Sequence, residues 1–139
     1  MTDWASEFEQ FEKEAKLALP KSIKEMYEHF GNGGFGPKYY VMGLVSGHTD
    51  DLGYTVLDLY KAYLQGDPEN PDWIWPKELI PLCHLGCAMY ICLDITKESV
   101  PIFKFDPNGY GPGSDREFQD LFTLLYPSLQ DWIDSWESN

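Results

Sequence analysis

Two β-prone runs, residues 88–95 and 100–106, are separated by only the four residues Thr96-Lys97-Glu98-Ser99. A link that short joins neighbouring antiparallel strands, whereas a parallel crossover needs roughly a dozen residues or more. The pair therefore reads as a hairpin. Along the first run, alternation puts Met89, Ile91, Leu93 and Ile95 on one apolar face. Tyr90, Cys92 and Asp94 fall on the other, the pattern of a central core strand. The preceding "PLCHLG" reads as a turn that feeds it.

Helical patterns surround this hairpin. Trp4, Phe8, Phe11 and Ala15 recur at helical spacing, with Glu7, Glu9, Glu12 and Glu14 mostly on other faces and Ser6 with Glu9 as a capping box. After Pro20, Ile23, Met26, Tyr27 and Phe30 line a second helix that "GNGG" at 31–34 stops. Residues 39–45, "YYVMGLV", are β-prone. Val56, Tyr60, Tyr63 and Leu64 predict a third helix ending at Gly66-Asp67-Pro68. A polar, proline-rich loop carrying Trp73 and Trp75 follows. Ser114 and Glu117 read as a capping box before a helix of Phe118, Leu121, Phe122 and Leu125, ended by Pro127. Ser128 caps a last helix with Leu129, Trp132, Ile133 and Trp136. The expectation is an α+β fold: an antiparallel or mixed sheet flanked by N- and C-terminal helices, in a single domain over residues 1–139.

Charge limits the partners. Twenty-three Asp and Glu against ten Lys and Arg give −13 and a pI near 4.4. That field repels nucleic acid and anionic membranes and attracts a basic partner. No run approaches the roughly 18 to 20 apolar residues of a membrane span, and the first residues lack a signal-peptide pattern. An odd number of cysteines fits a reducing compartment, so a cytoplasmic protein is expected.

Candidate chemistry is thin. Cys83, His84 and Cys87 are only three ligands without CxxC spacing, and five strand residues would carry Cys92 about 16 Å beyond Cys87. Cysteines in apolar company within an acidic chain have raised thiol pKa values, against nucleophilic use. "GNGGFG" matches GxGxxG, but a helix precedes it where a dinucleotide site needs a strand. Asp106, Asn108, Gly111 and Glu117 fall at calcium-loop positions, yet Tyr110 takes a ligand place and Pro107 and Pro112 constrain the loop. Asp50-Asp51 is the obvious carboxylate doublet, without an identifiable catalytic partner. No enzyme activity, cofactor or metal is expected. What remains is acid beside aromatic, the combination that steers and anchors a basic protein partner. The candidate partner-binding residues are Tyr39, Tyr40, Asp50, Asp51, Tyr54, Asp72, Trp73 and Trp75; the two tryptophans read equally well as a roof on the core.

The order of motifs, "LPKSIKEMYEHFGNGG", "WPKELIPLCHLGCAMYICLDI", "PIFKF" and "SLQDWIDSW", resembles the SUKH superfamily over about residues 17–137. That superfamily includes the yeast cell-wall-assembly regulator and many bacterial immunity proteins. The matching positions are Leu19-Pro20, Asn32-Gly33-Gly34, Trp75-Pro76, Gly86, Asp94, Trp132 and Trp136. One departure is Gly86-Cys87-Ala88, where many members have a Gly-Gly-Asp-like turn. The resemblance implies a non-catalytic α+β domain. In bacteria it implies an immunity protein that binds and neutralises a cognate toxin, often a nuclease. The alternative it leaves is an intracellular scaffold or regulatory interaction module.

Overall fold

A four-stranded sheet in the order β1-β2-β3-β4, each strand antiparallel to the next, organises the molecule. The strands are β1 (Leu79–Gly86), β2 (Met89–Asp94), β3 (Ile102–Phe105) and β4 (Phe122–Tyr126). The helices are α1 (Trp4–Ala15), α2 (Lys21–Phe30), α3 (Val56–Gln65) and α4 (Leu129–Trp136). The structure is a computed structural model and describes residues 2–136. Its class is α+β, with an antiparallel sheet and helices at both ends of the chain.

The expected hairpin is β2–β3, with Leu93 opposite Ile102 and Cys92 opposite Phe103. Both faces of β2 are buried, because helices and loops cover the sheet on each side. Phe105 packs edge-on against Trp75 at 5.0 Å and lies 5.0 Å from Phe122 and 5.7 Å from both Tyr63 and Trp73. Tyr90 is the cross-strand partner of Phe105 and shares its face. The aromatic cluster under α3 is thus built on the β2–β3 pair. Truncating so enclosed a ring to alanine costs about 3–5 kcal/mol.

Five local expectations are corrected. "PLCHLG" is not a turn but most of strand β1, with Pro81 tolerated at an irregularity in the β1–β2 register. The turn is only Cys87-Ala88. Residues 39–45 form no strand: only Val41 bridges to Cys83, because Tyr40 takes a positive φ of 80° that breaks extension. The predicted helix at 118–125 is a short 3-10 helix, Phe118–Leu121, followed by β4, which supplies the second neighbour for β3. Its box is formed by Glu117 and Asp120, while Ser114 instead accepts from the Arg116 N–H. Helix α1 is capped by Asp3, which accepts from the Ser6 N–H at 3.2 Å, so the Ser6–Glu9 box does not form.

The other helix ends follow their sequences. Pro20 precedes α2, and Gly31 at φ 107° ends it. Thr55 and Asp58 form a capping box on α3, and Ser128 accepts from Asp131 at the start of α4.

Glu7 lies on the buried side of α1, against the expectation for the glutamates of that helix. Its carboxylate accepts from the N–H groups of Val45 (2.7 Å) and Ser46 (2.8 Å), the Ser46 hydroxyl (2.9 Å) and the Asn32 amide (2.9 Å). This clamp fixes the loop that leads into the candidate site.

Candidate functional site

The site grows from the β1–β2 turn. Cys87 and Ala88 both have positive φ, 53° and 63°, the conformation of a two-residue hairpin turn usually given to Asn and Gly. The loop 37–42 lies along the outer edge of β1. Its Met42 N–H donates to the Leu82 carbonyl at 2.8 Å, the Tyr39 N–H donates to the His84 carbonyl at 3.4 Å, and the His84 N–H donates to the Tyr40 carbonyl at 3.4 Å. Positive φ at Lys38 and Tyr40 kinks this loop, leaving both Tyr39 and Tyr40 exposed. The Tyr39 ring rests on Gly86, where a Cβ would come within 2.8 Å of it.

Buried His84 lies between two rings, with centroids 5.4 Å from Tyr39 and 5.1 Å from Tyr90. The Tyr90 hydroxyl donates to Asp50 at 2.7 Å. Asp50 is buried, and its other oxygen accepts from the N–H groups of Leu52 and Tyr54, both at 2.9 Å. Burial first, and then the bond to the Asp50 carboxylate, push the Tyr90 hydroxyl well above its ordinary pKa. The tight turn projects Asp51 and Leu52 into solvent. Asp51 Oδ1 stands 3.7 Å from His84 Nε2, within ion-pair reach when that histidine is protonated. His48 Nε2 lies 3.2 Å from the Tyr39 carbonyl oxygen. Together these groups enclose an open cleft of 500 Å³ that continues along Asp51 and His84 into a smaller one of 250 Å³.

The eight candidate residues divide into two groups. Tyr39, Tyr40, Asp50, Asp51 and Tyr54 line this pair of clefts. Within that group Asp50 is a buried strut, while Tyr39, Tyr40 and Asp51 are exposed and Tyr54 half-buried. Asp72, Trp73 and Trp75 are not among the cleft residues. The Trp75 indole is buried and donates to the Leu79 carbonyl at 2.8 Å; Trp73 donates to the Tyr63 carbonyl at 3.1 Å. Both indoles roof the aromatic core, and Asp72 stays exposed beside them. Sequence reasoning missed His48, His84 and Leu52 as cleft residues. Assigning "PLCHLG" to a turn hid the strand that presents His84.

Burial pushes the Cys83 thiol up to about 12 and the Cys92 thiol well above its ordinary value, whereas Cys87 is exposed. Among the described residues, no group of three or more His, Cys, Asp or Glu is placed to hold a metal ion, and no helix is long and apolar enough to cross a membrane.

The sequence model of the SMI1 / KNR4 family (SUKH-1) matches residues 4–135. The chain belongs to this family. No curated protein and no solved structure matches it. In this SUKH-1 chain the residues that carry the resemblance have specific physical work. Asn32 accepts from the Leu44 N–H at 3.0 Å while donating to Glu7 and Ser46. Gly33 leaves room for the next loop: a Cβ there would lie 2.6 Å from the Gly43 nitrogen. Asp94 is buried at the end of β2 and accepts from both the N–H (3.0 Å) and the hydroxyl (2.6 Å) of Thr96, turning the chain toward β3. Asn32, Gly33 and Asp94 are thus struts of the fold.

Proposed function

We propose that this protein is a non-catalytic binding domain of the immunity type, which neutralises a basic toxin domain by occupying its working surface. Membership of the SUKH-1 family supports a protein-interaction domain. The observation that carries the finer reading is the placement of Tyr39 and Tyr40 on one cleft and Leu52 on the adjoining one, with Asp51 lining both. Exposed tyrosines are efficient anchors because they offer large rigid area, and a flanking carboxylate selects cations. The backbone beneath them is held by Asp50 and Tyr90, so little ordering is left for the moment of binding. The net charge of −13 steers a cationic partner toward the molecule. Blockade is steric and electrostatic, without turnover.

Co-expression with the product of the neighbouring gene tests this reading. A stable complex is expected, with Asp51→Lys and Tyr39→Ser together weakening it at least about tenfold and flattening its salt dependence. Asp50 is left intact, since its reversal would remove the strut. A complex whose affinity and salt slope ignore the double variant would end the assignment of this cleft.

A further inference from the structure

A second concavity is lined by residues of α2 and α4 together with Glu98 and Ser99 of the β2–β3 connection. Its volume is 920 Å³, larger than the tyrosine-lined cleft, and it shares no lining residue with it. Met26 and Leu129 form a buried floor, continued by half-buried Ile133 and exposed Phe30. The rim carries Glu25, Glu28 and Glu98, all exposed, and among the described residues no lysine or arginine lines the groove. None of the three glutamates is in an ion pair among the described residues; the lysines that are paired contact Glu12 and Glu14 on α1.

We infer that this groove docks a cationic amphipathic helix, a segment with aliphatic residues on one face and Lys or Arg along its borders. The lengths fit. Helices α2 and α4 have ten and eight residues, so the trough runs about 12–15 Å, two to three turns of a partner helix. The apolar floor suits side chains at i, i+4 and i+7, the helix-in-groove mode. The rim decides the sign of the partner. A second copy seated on the same groove by twofold symmetry would bring Glu25, Glu28 and Glu98 toward their own duplicates, with −13 on each chain. A cationic helix meets the three carboxylates favourably. The inference stands apart from the tyrosine cleft: either surface can function without the other.

The test uses the full chain and a synthetic helical peptide with leucine at i, i+4 and i+7 and lysine at the flanking positions. Methyl NMR follows Met26, Leu129 and Ile133, and fluorescence anisotropy gives the affinity. The three methyl signals are expected to shift on titration. Glu25→Gln, Glu28→Gln and Glu98→Gln combined should weaken binding at least about tenfold. An equal charge change elsewhere, Glu9→Gln, Glu69→Gln and Asp115→Asn, should leave it within about twofold. A peptide with serine for leucine should lose the methyl shifts. Equal weakening by both triple variants would reduce the interaction to bulk charge and overturn the inference. Unmoved methyl signals would do the same, as would sedimentation showing that a second copy already fills the groove.

Discussion

The Tyr90 hydroxyl donates to the Asp50 carboxylate across 2.7 Å, joining the central strand to a loop forty positions earlier in the chain. The same carboxylate orders Leu52 and Tyr54 through their N–H groups. Tyr90→Phe removes one donor to a buried charge and should cost about 1–3 kcal/mol, read as a lower urea midpoint at unchanged slope. Asp50→Asn retains an acceptor for the two N–H groups and should cost less than Asp50→Ala. Equal losses from the two Asp50 variants would show that its hydrogen bonds contribute little.

Glu7 gives the molecule an acid-side limit. Burial, the largest influence, raises its pKa, but the bonds from Asn32, Val45 and Ser46 together outweigh it and hold the carboxyl below its usual 4.5. The folded value therefore lies under the unfolded one. Its stabilising contribution is complete above pH 4.5 and is lost as pH falls through the depressed folded value. Glu7→Gln should flatten the decline of urea midpoints between about pH 5 and pH 3, while costing about 1–3 kcal/mol at neutral pH.

The Cys87-Ala88 turn holds two non-glycine residues at positive φ. Replacing them by Asn and Gly fits the turn and should raise stability by about 1 kcal/mol or more, seen as a higher Tm. Because Cys87 also lines the tyrosine cleft, binding is to be measured separately from stability. An unchanged or lower Tm would mean that the turn is not strained in the way its φ values indicate.

The thiols should separate by burial. Cys87 is exposed while Cys83 and Cys92 are buried with raised pKa values. Ellman's reagent should titrate one thiol in the native protein at neutral pH and all three after denaturation. Rapid reaction of more than one native thiol would contradict the packing of β1 and β2.

The helices, the hairpin and the α+β class were legible because each leaves a local periodic signal. Trp4, Phe8 and Phe11 announce α1, and Thr96 to Ser99 are too few for anything but a reversal. What sequence reasoning lost depends on distant partners. Phe118, Leu121, Phe122 and Leu125 suit a helix by spacing, yet Phe122, Leu124 and Tyr126 equally suit a strand. The resolution is tertiary: β3 takes β4 as its second neighbour. Residues 39–45 have strand propensity, but their backbone is committed elsewhere, with Val41 N–H on the Phe35 carbonyl and Gly43 N–H on that of His48. The same holds for the candidate site. Acid beside aromatic found Tyr39, Tyr40 and Asp51, but nothing local distinguishes exposed Asp51 from its buried neighbour Asp50. That difference is set by Tyr90, which only the fold brings near.

The Glu7 clamp also sets an order of assembly. Every sheet neighbour is the next strand along the chain, so the sheet can zip by successive short closures. Glu7 must instead find Val45 across 38 positions. The loop that carries the tyrosines and Asp51 is therefore expected to take its working shape late, after the hydrophobic layers have met. Loss of the Glu7 contacts alone would then surface first as a poorly ordered loop around Val45 and Ser46 rather than as an unfolded domain.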